Sequence, residues 1–163
     1  GKPPWLGLRN AGYERAMREA GLEPIPPLYM PEVPVEGISE RSLHDRARLY
    51  AGYLVEHLKG PEPIDAIMVV TDAHAFQAAA SLRLLDVAPN EDVLIAGFDN
   101  LAPHEPWAQW EPTGPLLTVD KNNDEGGRMM VELLDERASD LLPPDPVCRV
   151  APHELIELQT RNG

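Results

Sequence analysis

Two points along the chain gather side chains suited to holding a small polar molecule. The apolar run Ile64–Val70 leads into Thr71-Asp72, and the run Asp92–Phe98, with Gly97 near its end, leads into Asp99-Asn100. Carboxylates in such places accept hydrogen bonds from the hydroxyls of a sugar or polyol, and an arginine nearby would donate to ring or hydroxyl oxygens. Aromatic rings would cover the apolar faces of the same ligand, and Trp5, Phe76, Trp107 and Trp110 are candidates. Each of these residues also has an ordinary structural use. Asp72 stands where a helix begins, a place where aspartate commonly accepts the free N–H groups of the first turn. Asp99 is placed to close a turn after its strand. The rings are equally suited to a core or an interface. His74 follows Asp72 closely enough to approach such a site, or to be a packed or surface histidine.

The elements that must position these groups follow from spacing. Ile64–Val70, interrupted by Asp65, and Asp92–Phe98 are apolar and partly β-branched, which predicts buried strands of a parallel sheet. Thr71-Asp72 then opens a helix that runs to about Leu85. A helix over about Leu8–Ala20 is predicted from Ala11, Tyr13, Ala16, Met17 and Ala20, with Gly21 as its stop. Another runs from about Glu40 to Lys59, with Ser39 as N-cap and Gly60-Pro61 as terminator; Leu43, Ala47, Tyr50, Ala51, Leu54 and Leu58 form its apolar stripe. Short strands are expected at Leu28–Met30 and Leu116–Val119, a helix from Asn122 to about Leu142, and two closing strands at Val147–Val150 and Leu155–Leu158. A long loop rich in proline and aromatic residues, Asp99–Pro115, separates two of the strands. This alternation predicts an α/β fold, a parallel sheet with helices on its faces. Ligands of open parallel sheets bind beyond the carboxyl ends of the strands, which is where Thr71, Asp72 and Asp99 fall.

Composition narrows the function classes. The 163 residues are about one domain's worth, and 43% of them are hydrophobic, enough for a core. No linker divides the chain by composition. The 18 prolines cluster at Pro24, Pro26, Pro27, Pro31 and Pro34 and again at Pro143, Pro144, Pro146 and Pro152, marking connections. A net charge of −13, from 27 acidic against 14 basic residues, repels phosphate backbones, so these residues are not expected to grip nucleic acid themselves. No apolar run is long enough to span a membrane, and no basic start leads into an apolar stretch as a signal peptide would. One cysteine, Cys148, excludes an internal disulfide framework. There is no G-x-S-x-G, P-loop or G-x-G-x-x-G, and His44, His57, His74, His104 and His153 show no metal-site spacing. Neither a metal nor a cofactor is expected.

Five segments, taken in order, resemble the LacI/GalR family of transcriptional regulators. Arg9-Asn10-Ala11-Gly12-Tyr13 resembles its R-x-x-G-aromatic helix start. Asp65–Asp72 resembles its strand ending in Asn-Asp, and Val93–Asn100 its V-x-V-x-G-aromatic-Asp-Asp/Asn strand. Pro115-Leu116-Leu117-Thr118-Val119 resembles its P-L-T-T-V crossover, and Gly127 stands at the spacing of its helix glycine. The resemblance implies a type I periplasmic-binding-protein-like fold, in which two subdomains close on a small effector, often a sugar or nucleobase, and shift the geometry of a homodimer. It implies a cytoplasmic protein that meets operator DNA through an N-terminal helix-turn-helix lying outside these residues. It further implies that 1–163 is a partial effector-binding domain. In that reading 1–115 and 143–163 are mainly the C-terminal subdomain, and 116–142 is a crossover returning to the N-terminal one.

By the same resemblance Arg9 and Asp99 match the effector-binding arginine and aspartate. Thr71 stands where many members carry a ligand-contacting asparagine, with Asp72 in the next position. Trp107 and Trp110 sit in a lengthened loop that implies an interface role. Thr71 in place of asparagine, Lys121 where glutamine is frequent, Leu117 for threonine and Leu158 for arginine depart from the pattern, and the shorter Thr71 implies a ligand unlike a typical hexose. Two other readings fit some of the same residues. A transporter's solute-binding protein has the same fold, and an α/β enzyme would use Asp72, His74 and Asp99 for acid–base work.

Overall fold

The computed structural model describes residues 3–30 and 37–158. The chain forms two compact units, 1–32 and 33–163. The division falls, in sequence, within the first proline cluster, although composition alone shows no linker there. Pro31 and Pro34 of that cluster lie outside the described residues.

The smaller unit holds helix α1, Pro4–Glu19, which starts a turn earlier than its apolar spacing suggests because Pro4 is favoured in a first turn. Its stop is the one expected. Gly21 takes φ +75, and the Leu22 N–H reaches back to the Met17 carbonyl over 2.9 Å. Among the described residues no strand forms at Leu28–Met30, where one was expected; Pro24, Pro26 and Pro27 precede it.

The larger unit carries α2 (Glu40–Lys59), β1 (Ala66–Met68), α3 (Asp72–Leu84), β2 (Leu94–Ala96), two short 3₁₀ turns, β3 (Leu117–Asp120), α4 (Asn123–Ala138) and β4 (Glu154–Glu157). Ser39 caps α2 in a reciprocal box with Ser42, each side chain accepting the other's backbone N–H. The sheet order is β1-β2-β3-β4. β1, β2 and β3 are parallel, but β4 pairs antiparallel with β3, Leu117 opposite Glu157. The sheet is mostly parallel, as expected, with one antiparallel strand at its edge. The connection from α4 to β4, residues 139–153, carries Pro143, Pro144, Pro146 and Pro152 and brings the chain back beside β3 in the opposite sense. The first of the two expected closing strands, Val147–Val150, is absent among the described residues: Pro144 and Pro146 precede it, and Arg149 is tied to Glu136 of α4 instead of to a ladder.

One core cluster joins Leu54 and Leu58 of α2, Ala75, Ala78, Ala79 and Leu82 of α3, and Val93 and Ile95 at β2. The small side chains of α3 let α2 lie close above it. A second cluster, Leu43, Phe76 and Trp107, pins the loop after β2 onto the two helices. α4 differs, because none of its residues is buried and Met130, Val131 and Leu134 are 64%, 67% and 70% exposed.

Candidate functional site

Three strand ends converge. The ladder continues past the strands: the Asp72 N–H donates to the Phe98 carbonyl and the Asp99 N–H to the Val119 carbonyl, both over 2.9 Å. Thr71-Asp72, Asp99-Asn100 and Asp120-Lys121 are therefore neighbours at the carboxyl edge of the sheet, the location in which open α/β sheets meet ligands.

Asp72 does not cap α3. Thr71 is the N-cap residue, and the Asp72 carboxylate is fully buried, turned to other work. Its Oδ2 accepts the N–H groups of Leu101 at 2.7 Å and Ala102 at 3.0 Å, and its Oδ1 accepts the Thr118 hydroxyl at 2.7 Å. Thr118 Oγ1 in turn accepts the Asn100 N–H at 3.2 Å. Gly97 makes room for this group, since a Cβ there would lie 2.2 Å from Asp72 Oδ1. A buried anion satisfied by three donors thus ties the start of α3, the loop after β2 and β3 into one piece.

Asp99 follows that piece in a backbone conformation rare for a residue with a Cβ, φ +101, and Asn100 follows at φ +54. The side chain is 16% exposed. Lys121 Nζ forms an ion pair with Oδ1 at 2.7 Å, and Oδ1 is buried with no other partner. The accessible part of the carboxylate excludes Oδ1, which leaves Oδ2 as the acceptor open to a ligand. Asn100 Nδ2 donates to Asp120 Oδ2 at 2.9 Å, and the Asn122 N–H to Asp120 Oδ1 at 2.6 Å. These bonds hold the Asp120 carboxyl below the usual range, the backbone donor contributing most.

Thr71 is half-buried, and its hydroxyl lies 2.8 Å from His74 Nδ1. Burial, and secondarily the charge of Arg46, depress the His74 imidazole, so it is neutral near pH 7. Glu105, in the loop above, is shifted upward by partial burial first and by the charges of Asp72 and Asp99 after that.

Of the residues named from sequence, Thr71, Asp72 and Asp99 are brought together. Arg9 belongs to the smaller unit, where its guanidinium lies over the Trp5 ring, 4.6 Å from the centroid. Trp107 is 4% exposed, packed on Phe76 and Leu43, and is not available to a partner; Trp110 packs beside it, ring centroids 6.4 Å apart, and is partly exposed. The loop's interface reading is corrected for Trp107. The loop is long because it must carry its own small core, braced by the Arg83 Nε–H donating to both oxygens of buried Glu111 at 3.2 and 3.1 Å. Thr118, Lys121 and Glu105 were not among the site residues read from sequence. The signal for Lys121 was present, since it follows β3 as Asp99 follows β2, each just beyond the carboxyl end of its strand.

A family model for a periplasmic binding protein-like domain matches residues 1–160. The chain belongs to the periplasmic binding protein-like domain family. Among curated proteins no sequence matches it. This periplasmic binding protein-like domain is similar to the crystal structure of a LacI-family transcriptional regulatory protein from Corynebacterium glutamicum, at 28% identity and a TM-score of 0.62, over 93% of this chain and 52% of that one. It shares its fold with a transcriptional regulator CelR–cellobiose complex (24% identity, TM-score 0.61, 91% of this chain and 40% of that one). It shares it also with the Lac repressor bound to ONPG (18% identity, TM-score 0.63, 92% and 40%). The domain spans between 40% and 52% of the length of these three proteins.

Proposed function

We propose that this domain is the greater part of one lobe of the ligand sensor of a LacI/GalR-type transcriptional regulator, and that it takes a small polyhydroxy effector such as a sugar at the carboxyl edge of its sheet. The observation that carries the reading is Asp99. It combines a strained backbone, a buried oxygen held by Lys121 and a second oxygen open to a ligand, at the end of a central strand. Thr71 is a second contact. Asp72, with both oxygens spent on the protein, positions the loop that carries Asp99. Arg9 is assigned to the same effector on the family resemblance. The likeness to the Corynebacterium protein supports the regulator reading, and the structures solved with cellobiose and with ONPG support a sugar-type effector.

The same reading accounts for α4. The exposed stripe of Met130, Val131 and Leu134 is an apolar face suited to packing against another surface. Residues 116–142 return to the second lobe of the sensor, which lies outside this chain. The intact regulator is a cytoplasmic homodimer that reaches operator DNA through a separate N-terminal head, and effector binding shifts its two-state geometry.

The test is a thermal-shift screen of the full-length protein against sugars, nucleobases and amino acids. A small polar metabolite should raise the melting temperature, by mass action on the folded state, and Asp99→Ala and Arg9→Ala should each remove the rise. Shifts left intact in both variants would sink the site assignment.

A further inference from the structure

Thr71 opens α3 without the bond its position ordinarily makes. A residue in that place accepts an N–H of the first turn through its side chain. Here the His74 N–H donates to the Thr71 carbonyl at 3.0 Å, and the hydroxyl caps nothing. The hydroxyl is paired instead with the His74 side chain, Oγ1 to Nδ1 at 2.8 Å. A hydroxyl carries one hydrogen and two acceptor positions, so whatever claims the hydrogen decides what is left for a ligand. A neutral imidazole can claim it at Nδ1. An imidazolium cannot, because both of its nitrogens are donors.

The surroundings of His74 favour the neutral ring. It is partly buried in the first turn of α3, and the group that acts on it from α2 is Arg46, whose charge opposes a second positive one. The other elements packed on α3, β2 and the 3₁₀ turn Pro106–Gln109, carry no titratable side chain. Asp72, the acid nearest on its own helix, has both oxygens committed to Leu101, Ala102 and Thr118. Neutral histidine intrinsically prefers its proton on Nε2, the tautomer in which Nδ1 accepts. Thr71 then donates to His74 and keeps a lone pair for a ligand. The Asp72 N–H is laddered to the Phe98 carbonyl, so Thr71 and Asp99 sit at adjoining strand ends.

We propose that His74 is a positioning residue: it takes the hydrogen of the Thr71 hydroxyl and so makes Thr71 an acceptor toward the effector. The site then presents two acceptors, Thr71 Oγ1 and Asp99 Oδ2, and selects a polyhydroxy ligand with two hydroxyls that each donate. Once His74 is protonated, its Nδ1–H donates to Thr71 Oγ1, the Thr71 hydrogen turns outward, and a donor faces a donor. Binding therefore requires the neutral ring and releases to solvent the proton of any His74 that carries one. This inference rests on the sensor reading above, with Thr71 as its second contact, and adds a polarity to that contact.

The experiment is calorimetric titration of the full-length protein with D-glucose, D-galactose, D-xylose and cellobiose, between about pH 7.5 and pH 5, across the range in which histidine titrates. At the upper pH, His74→Ala should weaken binding about three- to tenfold, the worth of one hydrogen bond. His74→Asn, whose amide reaches the place of Nδ1, should restore most of that loss. The native affinity should fall toward the lower pH, and the fall should be smaller in His74→Asn, which offers the same bond without titrating. In a Thr71→Val background, His74→Ala should cost nothing further, as expected of a residue that acts through another. Asp99→Ala, run beside these variants, tests the sensor reading by itself. Native affinity in Thr71→Val, a His74→Ala loss that adds in full to that of Thr71→Val, or a pH profile unchanged in His74→Asn overturns the positioning role and leaves the sensor reading intact. Binding of none of these sugars counts against both.

Discussion

Thr118 Oγ1 donates to Asp72 Oδ1 across 2.7 Å, and neither side chain reaches solvent. The bond joins residues 46 positions apart and fixes the start of α3 to β3. Removing the carboxylate strands three buried donors, the N–H groups of Leu101 and Ala102 and the Thr118 hydroxyl. At about 1–3 kcal/mol for each orphaned group, partly relieved by entering water, Asp72→Ala should cost about 3–5 kcal/mol. Thr118→Val removes one donor and should cost about 1–2 kcal/mol. Urea unfolding of both variants checks this; an Asp72→Ala loss below that of Thr118→Val would contradict the clamp.

Gly97 is required by the same carboxylate. A methyl group there meets Asp72 Oδ1 at 2.2 Å and the Pro115 Cβ at 3.1 Å, so something must shift. Gly97→Ala should destabilise by about 2–4 kcal/mol. In an Asp72→Ala background the penalty should shrink by more than about 1 kcal/mol, since the nearest obstacle is gone. Strict additivity in that double-mutant cycle would show that the contact is not what excludes the methyl.

The depressed His74 gives a pH prediction with a definite sign. The unfolded chain titrates near 6.5 and the folded chain lower, so below that pH the unfolded state binds more protons. Stability contributed by neutral His74 is full above 6.5 and is lost as pH falls through the folded value. Glu105 works in the other direction. Its folded value is raised, so its stabilising contribution is present below its ordinary 4.5 and disappears as pH rises through the folded value. His74→Gln should flatten the unfolding midpoint between pH 6.5 and the folded value, and Glu105→Gln should raise the midpoint modestly at pH 7. An acid-side slope unchanged by His74→Gln would refute the first, and a lower midpoint in Glu105→Gln the second.

Much of this arrangement is legible in the amino-acid sequence. The stripe from Leu43 to Leu58 with Ser39 ahead of it defines α2, and the apolar runs ending at Thr71 and Asp99 define the edge at which the polar groups meet. Such signals are local, since side-chain periodicity and capping are decided within a few residues. What stayed hidden was set by distant partners. Asp72 looks like a helix cap in sequence because nothing nearby announces acceptance from Leu101, Ala102 and Thr118, 29, 30 and 46 residues away. Trp107 looks like an interface residue because its neighbours Phe76 and Leu43 belong to two other helices. The sense of β4 depends on which edge of the sheet is open, which no pattern within Glu154–Glu157 encodes.

The most direct measurement is titration calorimetry of the full-length protein with whichever sugar or sugar derivative stabilises it most, in the native sequence and in Asp99→Ala. Loss of a hydrogen bond to a charged acceptor buried in the complex should weaken binding by about 1.5–3 kcal/mol, roughly ten- to a hundredfold or more. Circular dichroism and the melting temperature without ligand should show that the variant is still folded. A folded Asp99→Ala variant that binds with the native affinity would contradict the placement of the effector at the end of β2.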